Sequence, residues 1–230
     1  MTIKLNGSGL LLGIMLAMTQ AYGYAADQPY SEAEKQIFMT NHLRNVPLPA
    51  KLHYVFEKKG TLEPGFKDEA LVILSPGPGG KGNQASVNYL SGEHKLNTSD
   101  LGNVEGNPVV LSFLEKEVAE MHRLTKGSAN YYRKRIRLAL VDEATVKPVT
   151  IKYGGKDMPA NEIRIAPYLN DPARSRYEKF AGKYYVFIVS EQIPGEVYEM
   201  RGVLNDKDAA GDTKSAPLWE ETLTFDGVRK

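Results

Sequence analysis

Short apolar segments of strand length, some with apolar residues at every second position, recur along this chain, and turns rich in proline or glycine end most of them. Period two is the spacing of a pleated strand with one buried face. In Lys51–Lys58, Leu52, Tyr54 and Phe56 share a face. Ala70–Leu74 is a continuous apolar run of strand length, and Ser86–Leu90 alternates again. Thr145–Tyr153 and Glu162–Ala166 follow as strands, Tyr184–Ser190 (YYVFIVS) is strongly β-prone, Glu196–Leu204 is a return strand and Leu218–Phe225 a last one. Ser75–Gly82, Ser91-Gly92, Gly154–Asp157 and Pro194-Gly195 supply the turns. Tyr131–Val141 reads as either helix or strand, and the strand is favoured because Tyr132, Ile136, Leu138 and Leu140 alternate with Arg133, Arg135 and Arg137. The expected total is nine or ten strands.

About three helices are expected. Ser31 with Glu34 forms a capping-box pattern that opens a helix to about Leu43, and Val46-Pro47-Leu48-Pro49 stops it. Asn107-Pro108 starts a second, which ends near Gly127. Along it Val110, Leu111, Leu114, Val118 and Met121 recur at helical spacing, and Glu115, Glu117 and Glu120 are expected on the polar face. Asp171-Pro172 starts a third, short helix to about Ala181. Helices and strands do not alternate strictly, so the fold class is α+β with a mainly antiparallel sheet. No repeat of 20–50 residues is visible, and no linker divides residues 26–230, which are expected to form one domain.

The first 25 residues have the layout of a secretory signal peptide: Lys4, the apolar run Gly9–Met18, then small residues around Ala25. The run of ten is short of the ~20 residues that cross a bilayer as a helix. With no cysteine, the chain cannot be lipidated as a bacterial lipoprotein or stapled by disulfides. A periplasmic or secreted protein with no stable membrane span is expected, held together by burial alone. Lys4 is the only charge before Asp27, so cleavage near Ala25 leaves 28 basic against 28 acidic side chains. A neutral chain has no general attraction for nucleic acid or anionic surfaces, so no nucleic-acid partner is expected.

Catalytic motifs are sparse. Gly77–Gly82 contains GxGxxG after a strand, but Asn83–Leu90 alternates like a strand where the dinucleotide motif needs a helix. A hairpin loop is the reading. His42, His53, His94 and His122 are scattered and read as surface or half-buried residues, with no metal expected. Asp206, Asp208 and Asp212 with Gly211 resemble a calcium loop, yet Ala210 and Pro217 fall where oxygen ligands are required. No serine lies in a GxSxG elbow. No cofactor is expected.

The constellation carried forward is basic. On a strand, Arg133, Arg135 and Arg137 would stand in a row on one face, spaced by roughly 7 Å, ready for phosphate or carboxylate. Cross-strand acids that neutralise the row are the competing reading. The tyrosine pairs Tyr131-Tyr132 and Tyr184-Tyr185 suit an aromatic lining, although ordinary strand composition explains them as well.

The segment Lys51–Leu90, the inserted helix and the late hairpin Tyr184–Leu204 (YYVFIVSEQIPGEVYEMRGVL) resemble, in element order, the periplasmic lipoprotein-carrier class and its exported bacterial relatives. The resemblance implies a strongly curved antiparallel sheet, an incomplete barrel with helices plugging its concave side, and carries no functional residue across. Three functional readings stand. The first is a non-enzymatic periplasmic binding or envelope-maintenance protein holding an apolar, lipidic or anionic ligand. The second is an envelope hydrolase acting on glycan or ester, with Glu115 or Glu117 converging on His122. The third is a protein-interaction module pairing through an edge strand or the Arg133–Arg137 face.

Overall fold

The computed structural model describes residues 30–96, 100–205 and 217–229. The leader and the acidic stretch around Asp206–Asp212 lie outside the described residues. Among the described residues, nine strands form one antiparallel sheet: β1 (Ala50–Lys59), β2 (Phe66–Pro76), β3 (Asn83–Tyr89), β4 (Leu101–Gly102), β5 (Thr145–Tyr153), β6 (Lys156–Ile165), β7 (Tyr184–Val189), β8 (Val197–Leu204) and β9 (Trp219–Arg229). Their order is β4-β3-β2-β1-β9-β8-β7-β6-β5, so the sheet is open, with β4 and β5 at its edges. Every pairing is antiparallel. Consecutive hairpins build each half, and β9 returns from the end of the chain to join them through β1.

One face of the sheet makes the core. Leu52, Tyr54 and Phe56 are buried on it as the alternation predicts. Register extends the layer sideways: Tyr54 faces Ala70 on one side and Phe225 on the other, while Phe56 faces Leu223. Leu223 pairs in turn with Met200, Met200 with Phe187, and Phe187 with Ile163. Tyr153, at the end of β5, packs its ring 5.6 Å from that of Phe225. β5 and β9 stand four strands apart in the order, a separation of about 19 Å in a flat sheet.

Helical segments lie over this face. α1 is a single α-turn (Glu32–Glu34) that continues as a π-helical turn (Lys35–Met39). The Ser31/Glu34 capping box is formed. The segment stops at Met39 rather than Leu43: Thr40 turns to extended backbone, and the His42 Nε2–H donates to the Gln36 carbonyl at 2.7 Å. α2 (Val109–Thr125) starts where Asn107-Pro108 predicts, with the Asn107 side chain accepting the Val109 N–H at 3.2 Å. The third expected helix is a 3-10 segment, Arg174–Phe180, whose approach is turned by Asp171 accepting the Ala173 N–H at 2.7 Å.

The main correction concerns Tyr131–Val141. It is not a strand but part of α3 (Ala129–Asp142). Its buried positions, Tyr132, Ile136, Ala139 and Leu140, follow helical spacing, and its Arg, Lys, Leu and Ala are good helix formers. The Gly77–Gly82 segment is a hairpin loop between β2 and β3, with Gly79, Gly80 and Gly82 at positive φ, as only glycine adopts readily. Two histidines are more buried than expected. His42 accepts the Asn107 N–H at 3.1 Å on Nδ1, and His53 lies between Glu69 (2.8 Å) and Asp226 (2.9 Å).

Candidate functional site

The helical reading of α3 breaks up the expected arginine row. Residues four apart share a helix face, and residues two apart do not. Arg133 and Arg137 therefore point together, and Arg135 points away. The Arg135 Nε sits 2.7 Å from Oδ2 of buried Asp171, and its guanidinium donates to the Pro167 carbonyl at 3.0 and 3.1 Å. It anchors the segment after β6.

Arg133 and Arg137 flank a groove of about 320 Å3 between the three helices. α1 brings Tyr30, Phe38 and Met39; α2 brings Leu111, Leu114 and Val118; α3 adds Ile136. Ser31 fixes α1 in place by donating through Oγ to the Leu140 carbonyl in the last turn of α3, at 2.8 Å. Four of the apolar side chains are strongly exposed: Tyr30 at 58%, Leu111 at 54%, Met39 at 50% and Phe38 at 42%. Contiguous exposure of this kind marks a binding surface more often than scattered apolar residues do.

The two arginines differ in their partners. Arg133 donates through Nε and Nη2 to the two oxygens of Glu115, both at 2.7 Å, and through Nη1 to Asn130 at 2.6 Å. Arg133 holds the Glu115 carboxyl below its usual range, against the smaller opposing effect of burial. No hydrogen bond or ion pair engages Arg137 among the described residues. Glu34, also at the groove, accepts the Ser31 N–H at 3.0 Å within the capping box.

A second cluster was not foreseen. Glu117, expected on the polar face of α2, is buried, and its Oε2 sits 2.5 Å from Nζ of Lys183. Beside it, Lys116 reaches both oxygens of Glu221 at 2.7 Å. Lys58 lies 3.9 Å from the same carboxylate and 3.8 Å from the centre of the Trp219 ring. Register explains the assembly, since Glu221 is paired with Lys58 on one side and Gly202 on the other. Burial, reinforced by Glu117, pushes the Glu221 carboxyl up to about 7, with Lys116 and Lys183 pulling it back. Burial alone would lower Lys116, but Glu221, Glu117 and Glu120 together raise it. The cluster ties α2 to the sheet, through Lys116 to Glu221 on β9 and through Glu117 to Lys183 beside β7.

The residues of the hydrolase reading do not converge. Glu115 is held by Arg133 and Glu117 by Lys183, while His122 is exposed, its ring Nδ1–H donating to the Gly127 carbonyl at 2.6 Å. A wider cleft of about 820 Å3 includes Lys58, Glu63, Phe66, His94, Lys116 and Arg123. There Lys58 and Arg123 already pair with Glu63, at 2.7 and 2.8 Å. The helical groove combines open apolar surface with a charge, that of Arg137, left unmatched among the described residues.

No protein-family model matches the chain, and no curated protein matches it by sequence. Two solved structures are similar in overall arrangement. Mycobacterium tuberculosis lipoprotein LppX is 8% identical, with 76% of this chain and 84% of that chain covered and a TM-score of 0.31. A LolA superfamily protein from Nitrosomonas europaea, NE2245, is 8% identical, with 86% and 92% covered and a TM-score of 0.22. At these scores the similarity carries no functional argument. Among the described residues, no helix is long and apolar enough to cross a membrane.

Proposed function

We propose that this is a non-enzymatic binding protein of the bacterial envelope, periplasmic after removal of its leader, that holds an apolar or lipidic ligand. The observation that carries the reading is the groove between α1, α2 and α3, about 320 Å3 of mainly apolar surface left open to solvent. That volume is at the small end of ligand sites, which run roughly from 300 to 1,000 Å3. The sheet curls as an incomplete barrel in this reading, supported by the contact of Tyr153 with Phe225. Its helix-covered face is filled by side chains such as Phe113, which meets Phe187 at 6.3 Å, so the outer groove takes the ligand instead. Scattered hydrolase residues support a role without catalysis.

Native mass spectrometry on protein purified without detergent, followed by titration with a fluorescent fatty-acyl probe, tests this. Co-purifying lipid or saturable probe uptake is the expected result. Ligand-free protein that takes up no probe overturns it.

A further inference from the structure

Resting on that reading, we infer that the groove selects a single-chain amphiphile with an anionic head, carboxylate or phosphate, and that Arg137 is the residue that takes the head. The argument is one of charge matching within the groove. Two cations and two anions line it: Arg133, Arg137, Glu34 and Glu115. Glu115 is bound through both oxygens to Arg133. The Glu34 carboxylate is fixed at the start of α1 by the Ser31 N–H, where the helix end also favours negative charge. Arg137 remains without a hydrogen bond or ion pair among the described residues.

Its position fits the task. Arg137 follows buried Ile136 and lies one turn of α3 beyond Arg133, so its guanidinium is exposed at the groove while its neighbours enclose apolar surface. A guanidinium presents a planar fork that matches either a carboxylate or a phosphate. A tail laid along Leu111, Phe38 and Met39 would cover three side chains that water now meets. Head and tail are then satisfied by one ligand. A wholly apolar ligand would leave Arg137 beside it without a partner.

Calorimetric titration of the full mature chain separates this inference from the reading beneath it. The probes are decanoate, decyl phosphate and decyl maltoside, each below its micelle concentration. The expected result is binding of at least one anionic probe about tenfold tighter than the maltoside, an advantage that shrinks as salt rises. Arg137→Gln should abolish that advantage and Arg137→Lys should keep most of it. The stronger of decanoate and decyl phosphate identifies the head. Equal affinity for charged and neutral probes, or an advantage that survives Arg137→Gln, overturns the inference and leaves the groove as a general apolar site. No binding of any probe overturns the underlying reading. A concentration-dependent dimer, broken by Leu111→Asp and closed to every probe, assigns the groove to a second copy and overturns both. Because Arg137 is exposed and unpaired, its variants should fold, as matching circular dichroism would verify.

Discussion

The ammonium of Lys183 sits 2.5 Å from a carboxylate oxygen of Glu117, and both side chains are withdrawn from water between α2 and the sheet. A buried pair of this kind is weak as a net source of stability but costly to break on one side. Glu117→Ala should therefore destabilise the fold by about 3–5 kcal/mol, because Lys183 would be left charged in the core. Replacing both, Glu117→Leu with Lys183→Met, should recover most of that loss. Urea unfolding of the two singles and the double measures the coupling. A double as unstable as the sum of the singles would refute it.

Gly202 supplies a second test of the same contact. A methyl group at that position would stand 2.5 Å from Glu117 Oε1. Gly202→Ala should push the carboxylate off its lysine and cost about 1–3 kcal/mol. Combined with Glu117→Ala, it should add little.

Glu221 predicts an unusual pH dependence. Its folded value is raised from 4.5 to about 7, so between those values the folded chain holds a proton that the unfolded chain has released. Stability from this group is full below about 4.5 and is lost as the pH rises through 7, on the order of 3 kcal/mol in all. Glu196 and Glu199, also raised, add loss of the same sign above 4.5. His42, lowered from 6.5 by burial, works oppositely as pH rises toward 6.5. The lowered acids Glu63, Glu115, Glu120 and Asp171 act below their ordinary range instead. The difference in unfolding free energy between wild type and Glu221→Gln, followed from pH 4.5 to 7.5, isolates the effect. A difference that stays flat would contradict it.

How far the sequence could be read follows from what each element buries. β1 was legible because Leu52, Tyr54 and Phe56 all face the core and their neighbours do not, leaving period two unobscured. α3 was not, because Tyr132, Ile136 and Leu140 satisfy period two and period four together. Its short apolar stripe offers too few residues to separate them. Glu117 was misplaced for a different reason. A carboxylate signals the polar face unless its cation is known, and Lys183 is supplied from 66 residues further along the chain. The groove shares this long-range character, since Tyr30 and Leu111 meet only through tertiary packing. The signal that could have found it was the exposed Leu111 beside Arg133 and Arg137, had α3 been read as a helix.

Asn107 joins four parts of the fold. Its Nδ2 donates to the Tyr54 hydroxyl at 2.8 Å and to the Gly195 carbonyl at 2.9 Å. Its Oδ1 caps α2, and its backbone N–H meets His42. Asn107→Ala should cost about 2–4 kcal/mol by leaving buried groups unpaired. Guanidinium unfolding would show it, and a loss below about 1 kcal/mol would contradict the hub role.

Leu111 should behave as a residue kept for binding rather than folding. Being 54% exposed, it contributes little to the core. Leu111→Ser should leave unfolding free energy within about 0.5 kcal/mol of wild type while weakening uptake of an acyl probe severalfold. A large stability loss, or unchanged uptake, would count against the groove.

The two ends of the strand order carry a different consequence. An open antiparallel sheet exposes unpaired backbone at both margins, a template on which further chains could stack. Here one margin, β4, is only two residues long, and the other, β5, carries Pro148 with Lys147 and Lys152. A short margin offers no length for a foreign strand to register against. Proline withholds a donor, and the Lys147 charge repels a second copy of the same edge, while Lys152 is paired with Asp157 at 2.6 Å. The sheet can therefore stay open without seeding fibrils, a safeguard built into its margins and not into its core.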